Sequence, residues 1–215
     1  MYRGTDVKKF VPVAKEPGET SIKCLFVGGF TPYKHLPYQA NTKGGFTIME
    51  VWKQHEQEFK DQNVYLHMAG PDTTENSEVE KWLSGLRFPE QVKLSAILSQ
   101  AQILKAYQES DILLLPSKEE GLPNAGVEAA ACGCVIIGNK VGGIPEIIED
   151  EQTGLVINQD TVSHWHRAIQ KLCTNYAMRK MMAVSAGSEL SKSSIPLAMP
   201  PILLKFINQY KNRKS

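Results

Sequence analysis

The 215-residue chain lacks an excess of either charge, has only four cysteines and contains no long apolar run; each shortage closes off a class of function. Lys and Arg number 24 against 23 Asp and Glu, a formal charge of +1. That balance argues against a dedicated nucleic-acid binder, whose phosphate-neutralising face is plainly basic. The nearest basic run, Lys211, Arg213 and Lys214, reads as a solvated terminus. No stretch approaches the roughly 18 apolar residues of a membrane span, so any membrane association is expected to be peripheral. Met1 to Glu19 is polar and broken by Pro12 and Pro17, unlike a signal peptide. Cys132-Gly133-Cys134 lacks the gap of a redox motif, and no His pair at metal spacing accompanies it. Cys24 and Cys134 sit in strand-like apolar runs, where thiols behave as small buried hydrophobes. All four, Cys173 included, are expected to be reduced, which predicts a cytoplasmic protein. There is no Asp-x-Asp pair to hold a divalent ion, and Val27-Gly28-Gly29 does not extend into a dinucleotide fingerprint.

What is present is an alternation of short β-branched runs with helical periodicity, the pattern of a parallel sheet covered on both faces. Strands are expected at Ile22 to Val27, Val64 to Ala69, near Val92 to Leu94, Asp111 to Pro116, Cys134 to Ile137 and Leu155 to Ile157. Between them, Ile48, Met49, Trp52 and Phe59 share one helical face. Val79, Trp82, Leu83 and Leu86 suit a helix capped by Ser77 with Glu80. Ile103, Leu104 and Tyr107 mark a third helix, Asn124 to Ala131 a short Ala-rich fourth, and Ile144 to Asp150 a fifth. A turn at Gln152-Thr153-Gly154 precedes the last strand, and Val162, Trp165, Ile169 and Leu172 define an amphipathic helix. The fold class is α/β: one doubly wound, Rossmann-like domain of about six parallel strands, with ligands expected beyond the strands' carboxyl ends. Residues 1–20 read as linker and 21–187 as the domain. Residues 188–215 read as a bent, proline-marked connection and a final helix carrying Ile202, Leu203, Phe206 and Tyr210.

The segment from Pro116 to Glu128 carries the chemistry. It sets Glu120 and Glu128 eight positions apart across a strand-to-helix turn. Gly121 and Gly126 permit close backbone approach, and the helix start offers unpaired N–H donors to an anion. Carboxylates at this spacing can accept from sugar hydroxyls while the helix start faces phosphates. An isolated pair would more often be two solvated surface charges. The surrounding sequence decides between these.

Gly121 to Glu128 resembles the Glu-x7-Glu motif of the group 1 (family 4) glycosyltransferases, which have the GT-B fold of two Rossmann-like domains. Ser110 to Ser117 is similar to the strand leading into that motif, and Glu128 to Ile136 to its helix, glycine turn and next strand. Val141-Gly142-Gly143-Ile144-Pro145-Glu146 and Thr153-Gly154-Leu155-Val156 resemble the next two signatures. Five linked elements in order are far more specific than one glycine pattern. The resemblance covers roughly Gly4 to Asn175, with Gly4 to Pro12 similar to the stretch joining the two GT-B domains. It implies a carboxyl-terminal, donor-binding half whose amino-terminal partner domain contacts the acceptor.

It also implies residue roles. Glu120 would contact the donor sugar's hydroxyls and Glu128 the ribose. Gly121, Leu122, Pro123, Asn124 and Ala125 would approach the sugar and diphosphate, through the N–H groups of Leu122, Asn124 and Ala125. Gly28, Gly29 and Gly70 end strands beside the nucleotide. The donor would be a UDP or GDP sugar, with no cofactor and no metal. The expected location is the cytoplasm, extending to the cytoplasmic face of a membrane. The family places an Arg after the first strand's glycine and a Lys-Gly soon after. Here Gly29 holds the Arg position, and Lys34 and Lys43 compete for the lysine role. Lys34 has the usual distance from Gly28; Lys43 precedes Gly44-Gly45 and opens a helix, where a phosphate ligand belongs. Lys43 is favoured, as a catalytic residue with Glu120, against the alternative of two exposed loop lysines. His67 reads as a packed strand histidine, and His164 and His166, two apart on a helix, as a poor metal pair. The alternative to an enzyme is a non-catalytic GT-B relative that binds nucleotide sugars.

Overall fold

The computed structural model describes residues 9–13, 20–30, 42–74 and 77–192. Six strands, β1 (Ile22–Val27), β2 (Val64–Ala69), β3 (Val92–Ser95), β4 (Ile112–Leu115), β5 (Val135–Asn139) and β6 (Gly154–Ile157), form one sheet in the order β3-β2-β1-β4-β5-β6. Every pairing is parallel. Among the described residues the α-helices are α1 (Gly45–Asp61), α2 (Glu78–Ser84), α3 (Gln100–Glu109), α4 (Asn124–Ala131), α5 (Ile144–Ile147), α6 (Val162–Thr174) and α7 (Tyr176–Lys192).

Alternation along each strand divides the core into two layers. Cys24, Phe26, Ile112, Leu114, Val135 and Ile137 face Ile48, Trp52 and Phe59 of α1 and Trp165, Ile169 and Leu172 of α6. Leu25, Leu113, Leu115 and Ile136 face Ala106 and Tyr107 of α3, Ala129 and Ala130 of α4, and Ile144. β4 is apolar and buried on both sides because both faces of the sheet are covered there, as a parallel sheet requires. Local signals set the helix starts. Ser77 Oγ accepts from Glu80 N at 3.1 Å, and Ser99 closes a reciprocal capping box with Gln102.

Several boundaries differ from the sequence reading. α2 ends at Ser84, before the buried Leu86. α5 stops at Ile147 rather than Asp150, and Gly154 belongs to β6 rather than to the turn. The larger difference is α7, which runs to Lys192 through Gly187, where the sequence suggested the domain's end. Met178, Met182 and Ala186, spaced four apart, pack inward. The helix contacts α4, α6, β5 and β6. Arg179 Nη1 donates to Leu172 O and Cys173 O, covering carbonyls at the end of α6. The apolar residues of α7 are spread around the helix, with Tyr176, Met181 and Val184 exposed, and the Met178, Met182 and Ala186 stripe meets the core. The proline-marked segment and the helix expected around Ile202 to Tyr210 lie outside the described residues, as does most of the expected linker.

Cys24, Cys132 and Cys134 are buried free thiols and Cys173 is a half-buried one. His67 is a packed strand residue whose Nε2 lies 2.9 Å from Ser95 Oγ. Burial, with a smaller push from Lys93, lowers its pKa to about 4. The unfolded imidazole titrates near 6.5, so below that pH the unfolded state binds the extra proton. Stability should therefore fall by about 1–2 kcal/mol as pH drops from neutrality through 4, allowing for solvent screening at a half-buried site. Urea denaturation at both pH values should show this loss, and His67→Gln should flatten it. Equal pH dependence in the variant would overturn the assignment.

Candidate functional site

The chain runs outward from β1 through β2 to β3, then returns to the other side of β1 and continues through β4, β5 and β6. The order reverses between β1 and β4, and there the loops beyond the carboxyl ends part to opposite faces and open a crevice. The β1–α1 loop and the β4–α4 loop meet at this point. Lys118 N donates to Thr42 O at 2.7 Å, joining them backbone to backbone. Gly44, the N-cap of α1, has φ 71°, and a Cβ there would lie 1.8 Å from Pro116 O. Only glycine allows this approach.

That approach sets Lys43 Nζ 2.8 Å from Glu120 Oε2, which also accepts from Ser117 Oγ at 3.0 Å. Ser117 is buried and the Glu120 side chain is 14% exposed, against 42% for Lys43. The cation is therefore the more accessible partner. Asn139 and the Gly142-Gly143 turn also hold the loop. Asn139, buried at the end of β5, donates through Nδ2 to Pro116 O at 3.0 Å and Ser117 O at 3.1 Å. Gly142, with φ 50°, passes so near Glu120 that a Cβ would lie 1.7 Å from its carbonyl oxygen, and Gly143 N donates to Gly121 O at 2.8 Å. Glu120 is thus fixed from β1, β4 and β5 together.

α4 begins after the buried Pro123, and no side chain caps it. Its opening residues Asn124 and Ala125 bring the orphan amides and positive dipole end of a helix to the same loop. A Cβ at Gly121 would meet nothing within 4 Å, so this turn is open. Gly126 differs from the sequence reading. A Cβ there would strike Ile147 Cδ1 at 2.3 Å, so it serves helix packing rather than ligand approach. One turn into α4, Glu128 accepts from Tyr107 OH at 3.2 Å. Burial, reinforced by the Glu128 charge, drives the Tyr107 pKa far up, which keeps the phenol a neutral donor. The same causes, in the same order, raise the Cys132 thiol to about 11.

The structure brings Gly28, Lys43, Glu120, Gly121, Leu122, Pro123, Asn124 and Ala125 to one end of the sheet. A Cβ on Gly28 would lie 3.1 Å from Lys43 Cβ, and one on Gly70 2.3 Å from Gly28 O, so these strand ends are closely apposed. Glu128 stands apart from Glu120 in its partner, leaning on α3 while Glu120 engages Lys43. Lys34 lies outside the described residues. Gly29 is no open socket for an arginine, because a Cβ there would meet Pro71 Cγ at 2.5 Å. His164 bonds Thr161 at 2.7 Å while His166 bonds Glu58, so the two do not share a site. Sequence reasoning assigned no role to Ser117, Tyr107 or Asn139. The available signal was a polar Asn closing an otherwise apolar strand.

The model of the family described as glycosyl transferases group 1 matches residues 10–187, most of the chain. The chain belongs to the group 1 glycosyltransferases. Among curated relatives, a D-inositol 3-phosphate glycosyltransferase of Corynebacterium diphtheriae is 22% identical over 187 residues, covering 85% of this chain and 44% of that protein. The chain spans less than half the length of the curated relatives at the head of the comparison. Of solved structures, the C-terminal domain of a group 1 glycosyl transferase from Francisella tularensis superposes with a TM-score of 0.71 at 18% identity. It covers 88% of this chain and 98% of that domain. Anabaena HepE, solved with UDP and glucose, gives 0.72 at 15% identity over 98% of this chain and 56% of that one. At these identities the likeness is one of fold: a group 1 glycosyltransferase domain with the architecture of a GT-B carboxyl-terminal half. Among the described residues no helix is long and apolar enough to cross a membrane.

Proposed function

We propose that this domain binds a nucleoside diphosphate sugar, of UDP or GDP type, for transfer to a hydroxyl acceptor with retained configuration. The observation that carries this reading is the meeting of Lys43, Glu120 and the uncapped start of α4 at the switch point. A departing diphosphate develops negative charge, which a positioned cation and helix amides stabilise. Lys43, the more exposed member of its pair, turns from Glu120 to the phosphates, and the freed Glu120 accepts from sugar hydroxyls. The amides of Leu122, Asn124 and Ala125 reach the sugar and diphosphate across the open turn at Gly121. Glu128, steadied by Tyr107, accepts from the ribose hydroxyls. These groups supply the charge balance without a divalent ion. The hydroxyl acceptor is contacted by a second, amino-terminal GT-B domain, and the enzyme works in the cytoplasm or at the cytoplasmic face of a membrane. Relatives solved with UDP support the choice of nucleotide.

Calorimetric titration with UDP, GDP and ADP, alone and as their glucose conjugates, tests this. One nucleotide class should bind, and Glu128→Ala should weaken it roughly tenfold by removing a charge-assisted contact. Failure of all three to bind at millimolar concentration would remove the proposal. The packing of Pro71 on Gly29 favours a second reading, in which the domain binds donor without catalysing its transfer. Donor hydrolysis or transfer in the presence of the amino-terminal domain would exclude it.

A further inference from the structure

Remote from that crevice, α1 and α6 pack side by side over one face of the sheet. At their contact lie His55 and Glu58 of α1 and His166 of α6. One ligand atom from each falls within 4.8 Å of the others, and this is the one such group of three His, Cys, Asp or Glu residues among the described residues. His166 Nε2 is 2.8 Å from Glu58 Oε2, and His55 Nδ1 is 3.7 Å from the same oxygen. The two imidazole rings stack at 3.5 Å between centroids, 7° from parallel. α1 leaves helical geometry at His55, with φ −124° and ψ 18°. A mid-helix departure at a stacked histidine is a local cost that the fold retains at this contact.

We propose that His55, Glu58 and His166 form a binding site for a divalent transition metal of the zinc class, clamping α1 to α6. Two imidazole nitrogens and one carboxylate oxygen are a common three-ligand zinc set, with bond lengths of about 2.0–2.2 Å and a fourth position for water. The side chains are 27%, 42% and 20% exposed, so an ion can enter and water can complete the coordination. Binding draws the rings out of their stack, because each nitrogen must aim its in-plane lone pair at the metal. One ligand oxygen already lies within 3.7 Å of both ligand nitrogens, and the two helices supply ligands from sequence positions 108 residues apart. An ion here ties α1, whose amino end carries Lys43 and Gly44, to the carboxyl-terminal part of the domain. His55 lies roughly 18 Å along α1 from Lys43, so the clamp is separate from the donor crevice.

Zinc titrated into the chelator-treated chain by calorimetry and thermal melting tests the proposal. One ion should bind, with a melting temperature that rises with zinc as mass action requires. His55→Ala with His166→Ala should weaken binding by roughly 100-fold or more, since two of three ligands are gone. Glu58→Gln should weaken it less, and His164→Ala should leave it unchanged. Cobalt in place of zinc should give the visible bands of a nitrogen and oxygen site without thiolate charge transfer. If the double variant melts as the parent does without metal, loss of folding does not explain its loss of binding. Undiminished zinc binding by that variant, thiolate bands with cobalt, or no binding at about 100 µM zinc would each overturn the site.

Discussion

Replacing Lys43 by alanine should weaken binding of the nucleoside diphosphate roughly 10- to 100-fold, the range of a charge-assisted hydrogen bond worth about 1.5–3 kcal/mol. The stability of the free domain should change little. The Lys43–Glu120 pair has a half-exposed cation, and such pairs contribute about 0.2–1 kcal/mol. Lys43→Arg should recover part of the affinity, because it keeps the charge while changing the geometry of the contact. Parent affinity should fall with added salt, and the alanine variant should show a shallower dependence. Calorimetry at two salt concentrations measures all three effects. Unchanged affinity in Lys43→Ala would mean that the lysine only braces Glu120, and the reading of this crevice as a phosphate site would then fail.

Gly44→Ala should destabilise the domain by about 3 kcal/mol or more, combining a left-handed backbone penalty with a steric conflict in a packed region. A Cβ at this position would meet Pro116 O at 1.8 Å and Pro116 C at 2.6 Å. That carbonyl cannot easily retreat, since Pro116 directly follows β4 and its oxygen accepts from the buried Asn139 side chain. A domain of this size should then melt roughly 6–12 °C lower. Gly44→Asn separates the two causes. Asparagine tolerates positive φ but still carries a Cβ, so its loss should be nearly as large if the close approach dominates. Donor affinity should fall in both variants, because Lys43 is the adjacent residue. A melting temperature within a degree or two of the parent would show that the two loops are not in contact as described.

The group 1 family has a donor half whose fold tolerates wide sequence divergence. The relatives named above match at 15–22% identity over most of the chain. In this chain a lysine at the start of α1 reaches the β4–α4 loop at the switch point. Pro71 packs on Gly29, so an arginine could not be placed there by substitution alone. In the proposed function the diphosphate charge is met by Lys43 and the start of α4, and for that reason Lys43→Ala is expected to have a large effect.

The strands and most of the helices were legible in the chain because their signals are local. β-branched runs ending at glycine or proline, capping serines and a repeating apolar stripe act over a few residues. The six-stranded parallel sheet followed from their alternation, and the Glu120 to Glu128 segment stood out because its context is itself a local pattern. Which lysine meets Glu120 was not legible, since that depends on how close two loops 77 residues apart can come. The same holds for Tyr107 under Glu128, for Asn139 beneath the loop and for Pro71 against Gly29. α7 was missed because its apolar residues lie all round the helix, Tyr176, Met181 and Val184 being exposed, and only packing against α4 and α6 selects one stripe. The His55, Glu58 and His166 group arises from helix packing, and His166 was weighed only against its sequence neighbour His164. Local composition could specify the elements and their order. Contacts between distant segments needed the packed sheet, because excluded volume and burial act only once the chain has closed on itself.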